Sequence, residues 1–193
     1  MIKKEAGKGK MGATHAAQKF LAKNGEEVTL RPAAPDDATE IINTLRSASQ
    51  ERSYVLMEQY GKAVESEKDY INKMDHQNNL LLVAVVSGTV VGCLAAFQAD
   101  EGHRQQTAHI VQIGLHLKKT YRGLGIGSEM LQYTIAWTKE HGFKKLEASI
   151  FTMNKRSLNL FLHAGFTEEG IRRKRFRLGS DYFDEVCMGR LFE

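Results

Sequence analysis

The chain has 193 residues, 42% hydrophobic and 26% charged, which suits one domain with a sizeable core. Its longest apolar run, LLLVAVV at 80–86, is far too short to cross a bilayer, and the lysine-led N-terminus lacks the apolar stretch of a secretory signal. The formal net charge of +4 sits in residues 1–24, where six lysines face one acid (net +5), leaving the remainder at −1. The body is therefore close to neutral, so nucleic acid and membrane are not expected partners.

The basic segment 1–26 is expected to be a flexible tail or, over HAAQKFLAKNG, a short helix, with the main domain spanning 27–193. EEVTLRPA (26–33) alternates like a strand and stops at a proline. Pro35, Asp36 and Asp37 then open a helix whose apolar positions Ala38, Ile41, Ile42 and Leu45 have helical spacing. A second helix is expected over 63–77. NNLLLVAVVSGTVVGCLAAFQA reads as two strands joined at Ser87-Gly88, and TAHIVQIGLHL (107–117) as a third. Residues 125–141 form a helix with Ile126, Met130, Leu131, Ile135 and Trp137 on its apolar face. KKLEASIFT is a strand, KRSLNLFLHAGF (155–166) a short helix, and the C-terminal stretch two strands around Leu178–Asp181. The order β-α-α-β-β-β-α-β-α-β-β implies an α/β domain, mostly antiparallel, with one helical crossover. Cys93 and Cys187 lie far apart inside apolar runs, as reduced core residues of a cytoplasmic protein would. The seven histidines show no ligand spacing, so no metal is expected.

The most informative stretch is KKTYRGLGIGSEM (118–130), where Gly123, Gly125 and Gly127 stand between a strand and a helix. A helix N-terminus exposes unpaired N–H groups and partial positive charge, and glycines before it let the backbone close on an anion. Arg122 adds a forked cation and Ser128 a hydroxyl. Together they predict a phosphate or pyrophosphate cradle. The turn has no Gly-Lys pair for a P-loop, and Ser128 occupies the third glycine position of a dinucleotide fingerprint.

Arg122-Gly123-Leu124-Gly125-Ile126-Gly127 resembles the Arg/Gln-x-x-Gly-x-Gly/Ala pyrophosphate loop of the GNAT superfamily of acyl-CoA-dependent N-acyltransferases. NKRSLNLFLHAGFTEEG (154–170) is similar to that family's later helix motif. GSDYFDEVCMGRLF (179–192) is similar to the closing hairpin of its ribosomal-protein and amino-acid N-acetyltransferases. The resemblance implies the GNAT fold: a mixed, mostly antiparallel sheet of six to seven strands with splayed central strands and about four flanking helices. It implies acetyl-CoA as co-substrate, a small-molecule or peptide amine as acceptor, and room for a homodimer. Residues 123 to 128 with Arg122 would hold the pyrophosphate, and Leu115 and Leu117 would pair with the pantetheine arm. Asn154 would hydrogen-bond that arm, Ser157 would join the cofactor-binding set, and Phe161 would pack nearby. The acceptor pocket would come from segments 50–77 and 100–107.

Two positions depart from the family pattern. Gln112 stands where many relatives place a base glutamate, and Phe161 where many place an acid tyrosine. A neutral Gln accepts no proton. His116, on the same strand face as Gln112 by the period of two, and Tyr182 or Tyr121 are the substitutes the sequence offers. A protein that binds acetyl-CoA as a sensor, with little catalysis, is the alternative, and a nucleic-acid binder built on the lysine tail and IRRKRFR (171–177) is a second rival. Strand alternation places Arg173, Arg175 and Arg177 on one face of that segment and Arg172 and Lys174 on the other. The acids Glu65, Glu67, Asp69, Asp184 and Glu185 are candidates for guiding a cationic amine.

Overall fold

The computed structural model describes residues 16–49, 51 and 63–193. The lysine-rich stretch before residue 16 and residues 52–62 of the expected acceptor segment lie outside the described residues. The strands are β1 (Gln18–Leu21), β2 (Glu27–Pro32), β3 (Asn79–Val86), β4 (Thr89–Gln98), β5 (Ile110–Leu117), β6 (Lys145–Phe151), β7 (Thr167–Leu178) and β8 (Asp181–Leu191). They form one sheet in the order β1-β2-β3-β4-β5-β6-β8-β7. Helices α1 (Ala38–Ser49) and α2 (Val64–Lys73) cover one face, and α3 (Ile126–Glu140) and α4 (Lys155–His163) the other.

Coverage on both sides explains why β3 reads as an unbroken apolar run. Leu80, Leu82 and Ala84 pack with Leu94, Met130 and Leu131, while Leu81 and Val83 pack with Ile41, Leu45 and Ile71. The β3–β4 connection is a tight hairpin whose two central residues, Ser87 (φ 48°) and Gly88 (φ 78°), are both left-handed. That twist matches the flanking strands.

The sheet has eight strands rather than six to seven, and the additional one is β1. Residues expected as flexible tail or helix form a strand instead, pairing antiparallel with β2 from Gln18↔Leu30 to Leu21↔Glu27. Four residues are too few for a period to distinguish helix from strand, and β2 supplies the ladder that decides. This segment is tied further into the fold by the Tyr133 hydroxyl, which donates to the Ala16 carbonyl at 3.4 Å. Cys93 is buried as expected, but Cys187 is only half-buried; both are free thiols.

Asp37 locks the entry to α1. Its carboxylate accepts both Arg31 guanidinium nitrogens at 2.6 and 2.8 Å and the Ala34 N–H at 2.7 Å. Burial works to raise the Asp37 pKa, but the Arg31 hydrogen bond, the Ala34 N–H and the Arg31 charge together hold it below the usual carboxylate range. A depressed carboxyl stabilises above its unfolded pKa of about 3.9, and the contribution is lost as pH falls through the folded value. Asp37→Asn is therefore expected to cost about 1.5–3 kcal/mol in urea unfolding at pH 7, and the gap to the parent should close below about pH 4. A gap unchanged down to pH 3 would contradict this role for the carboxylate.

Among the described residues the only parallel pairing is β5 with β6, joined through α3 as a parallel crossover requires. It is short. Register runs from Ile110↔Lys145 to Ile113↔Ala148 and stops, although β5 continues to Leu117 and β6 to Phe151. From Gly114 onward β5 pairs only with β4, while β6 stays paired with β8. The expected splay of the central strands is this divergence.

Candidate active site

The glycine turn sits at the mouth of the splay, between the end of β5 and the start of α3. Gly123 (φ 83°) and Gly125 (φ 91°) are left-handed, and a Cβ added to either would meet nothing within 4 Å. Their requirement is conformational, not steric. Gly127 differs: its added Cβ would lie 3.2 Å from Leu160 and 3.4 Å from Leu115, so it lets α3 close on β5 and α4. From Gly123 to Gly127, no N–H donates to a backbone carbonyl among the described residues. The turn thus presents a run of backbone donors at the positive end of a helix, which suits a phosphate.

These donors open onto a cavity of about 370 Å³. Its walls include Leu115, His116 and Leu117 of β5, then Arg122, Gly123, Gly125, Gly127 and Ser128 of the turn. Asn154 and Ser157 at the start of α4 complete the expected set, with the Asn154 side chain accepting the Ser157 N–H at 3.1 Å. Three expected residues do not line it. Ile126 is 1% exposed and Phe161 3%, both in the core, where the Phe161 ring meets Phe166 edge-on at 4.9 Å. Leu124 packs against the core, and its carbonyl accepts the Lys23 N–H at 3.1 Å.

Arg122 is placed differently from the expectation of a free phosphate-binding fork. Its two terminal nitrogens each reach a carboxylate oxygen of Glu51 at 2.7 Å, and its Nε donates to the Leu117 carbonyl at 3.0 Å. The Arg122 hydrogen bond holds the Glu51 carboxyl below its usual range. Arg122 thereby fixes the turn against β5 and residue 51, and it occupies one backbone acceptor that a pantetheine arm was expected to use. Other cations line the cavity: Lys23 from the β1–β2 connection and Arg156 in the first turn of α4.

His116 lines this cavity, with Cys93 as its neighbour on β4. Burial, together with the Arg122 charge, lowers its pKa to about 4. The imidazole is neutral at pH 7, and so weak a base is poorly matched to taking a proton there. Tyr182 is 55% exposed near the tip of the β7–β8 hairpin, beside Lys174 and Arg177, and lines neither cavity. Tyr121 packs against the core.

A second cavity of about 470 Å³ begins where the first ends, at Gly114 on β5. Gln112 lines it, as do Glu147 and Ser149 of β6, Glu169, Arg172 and Arg175 of β7, and Glu185 and Cys187 of β8. Glu147 is the register partner of Gln112. Strict alternation along IRRKRFR fails here. A bulge between Arg172 and Phe176, with Lys174 left-handed (φ 51°), brings Arg175 to the same side as Arg172. Both guanidiniums contact the 3%-exposed Glu185, at 3.1 and 3.5 Å, and Ser149 donates to the same carboxylate. Among the other acids considered for steering, Glu67 is 2% exposed, while Glu65 and Asp69 pair with Lys68 and Lys73 on the open face of α2. Among the described residues no His/Cys/Asp/Glu group is placed to hold a metal, and no helix is long and apolar enough to cross a membrane.

A glycine turn at a helix N-terminus, beside a splayed strand pair, defines an acyl-CoA-type transferase fold, and comparison with known proteins agrees. The family model described as "Acetyltransferase (GNAT) family" matches residues 42–166, and the chain belongs to that family. It is similar to YokL, an SPbeta prophage-derived uncharacterized N-acetyltransferase of Bacillus subtilis, at 24% identity over 174 residues, or 86% of this chain and 90% of the relative. Its fold is that of a GNAT-family acetyltransferase from Streptococcus pneumoniae, with TM-score 0.79 and 24% identity over 86% of this chain and 99% of the other. A phosphinothricin acetyltransferase from Sinorhizobium meliloti, solved in complex with acetyl-CoA, shares the fold with TM-score 0.77 and 21% identity over 85% and 88% of the two chains.

Proposed function

We propose that this protein transfers the acetyl group of acetyl-CoA to a primary amine of a small molecule or peptide N-terminus. The observation that carries the reading is the pair of cavities meeting on β5: a donor-rich glycine turn opens onto the first, and a carboxylate-bearing cavity starts at Gly114. The donor cavity suits acetyl-CoA because the turn offers unpaired N–H groups to the phosphates and the diverging edge of β5 offers backbone to an extended arm. Acetyl-CoA would supply an acyl group already activated as a thioester.

The chain's own groups have three tasks. The turn binds phosphate, and the free edge of β5 donates to the oxyanion that develops at the acyl carbon. The third task is taking the proton of the acceptor ammonium. Gln112 cannot do this, but Glu147, in register with it on the neighbouring strand, brings a carboxylate to the same cavity. Glu185 is clamped by Ser149, Arg172 and Arg175, whereas among the described residues Glu147 pairs with Lys145, at 2.9 Å. Glu147 is the proton acceptor of this reading. The two free cysteines support a cytoplasmic placement.

Thiol release from acetyl-CoA in the presence of an amine panel tests the function. Turnover with at least one amine is expected. Tight acetyl-CoA binding with no release for any amine would favour the sensor reading instead. Since Arg122 is committed to Glu51, Lys23→Ala is expected to weaken acetyl-CoA binding by roughly fivefold, about 1 kcal/mol for an exposed cation, with the effect shrinking at high salt. Equal calorimetric affinities at low salt would remove Lys23 from the donor site.

A further inference from the structure

The charges around the second cavity are segregated. At one end two guanidiniums, Arg172 and Arg175, converge on the single carboxylate of Glu185, which leaves that end net positive. At the other, Lys145 bridges two carboxylates, Glu147 and Glu169, each at 2.9 Å, which leaves it net negative. The positive end is built rather than incidental. The Lys174 N–H donates to Asp184 at 2.7 Å and so pins the bulge that turns Arg175 inward. Glu185, buried, then holds both guanidiniums side by side. Their side chains are still 60% and 55% exposed, and each makes one contact to Glu185 from a group with five N–H donors. That arrangement suits a second, external anion, above all a planar carboxylate. At the negative end, Glu147 lies on β6 one rank before its pairing with β5 stops, next to the splay.

We propose that this cavity selects a zwitterionic acceptor, a small molecule carrying a carboxylate as well as the amine to be acetylated; the proposal rests on the acetyl-transfer function above. The carboxylate lies on Arg172 and Arg175, and the ammonium on the Glu147 end, beside the splay. A polyamine or other purely cationic amine supplies no second anion to the two guanidiniums and brings a further positive charge toward them.

The test is calorimetry on the full chain saturated with CoA, using amino acids of increasing amine–carboxylate spacing, each paired with its amide. At least one acid should bind about tenfold or more tighter than its own amide, the scale of one charge-assisted hydrogen-bonded pair. Arg175→Gln, which leaves Arg172 and Ser149 on Glu185, should erase that preference, and Arg175→Lys should restore part of it. Melting curves report whether either variant has lost its fold, and the acid–amide comparison on the parent protein judges the proposal without them. Amides or polyamines binding as well as the acids would overturn it, as would a preference that survives in a folded Arg175→Gln. Failure of the donor reading shows separately, as absence of CoA binding, and the same titrations on the CoA-free protein then still decide whether the cavity takes zwitterions.

Discussion

Gly125→Asp is expected to abolish acetyl-CoA binding while the protein stays folded. An added Cβ at Gly125 meets nothing within 4 Å, so the substitution creates no clash. Its backbone is left-handed at φ 91°, a strain of roughly 1–2 kcal/mol that Asp bears better than most residues. The larger effect is electrostatic. A carboxylate about 4 Å from a phosphate costs on the order of 4 kcal/mol at the effective dielectric of a protein surface, or roughly a thousandfold in affinity. Gly125→Ala separates the two contributions: it carries the strain without the charge and should weaken binding by about thirtyfold at most. Asp binding no worse than Ala would contradict an anion at this turn.

Glu147→Gln is expected to lower kcat by about a hundredfold or more with the affinity for acetyl-CoA unchanged, the usual scale for a positioned proton acceptor. Glutamine preserves size and hydrogen bonding to Lys145 and removes only the basic oxygen. The complementary Gln112→Glu returns a carboxylate to the register partner on β5 and should recover part of the rate in the double variant. A kcat within threefold of the parent for Glu147→Gln alone would assign the proton to another group.

Much of the donor side is legible from local sequence because its causes are local. Left-handed glycines before an amphipathic helix, the Asn154 cap and the Ser87-Gly88 hairpin each depend on a few consecutive residues. What sequence reading misses depends on partners far along the chain. Arg122 looks like a free phosphate ligand until the fold brings Glu51 to it. Lys23 reads as part of a basic tail until β1 pairs with β2 and its N–H reaches Leu124 in the turn. Alternation puts Arg175 on the face opposite Arg172 until Asp184 pins the bulge that brings the two together. One missed residue did carry a local signal. Lys155 and Arg156 open α4 with no acid in its first turn, against the helix dipole, an arrangement that makes sense where an anion is held. Phe161 matches a family motif position, and its apolar ring goes to the core.

The central claim is that the glycine turn is where the donor's phosphates bind. Hydrogen–deuterium exchange with and without acetyl-CoA tests it directly, because the amides of residues 123–127 have no backbone acceptor among the described residues. Acetyl-CoA should strongly slow exchange at residues 123–127 and at the start of α4, while the bulge at 172–176 is unaffected. Protection confined to other segments, with the turn exchanging as fast as in the free protein, would contradict it.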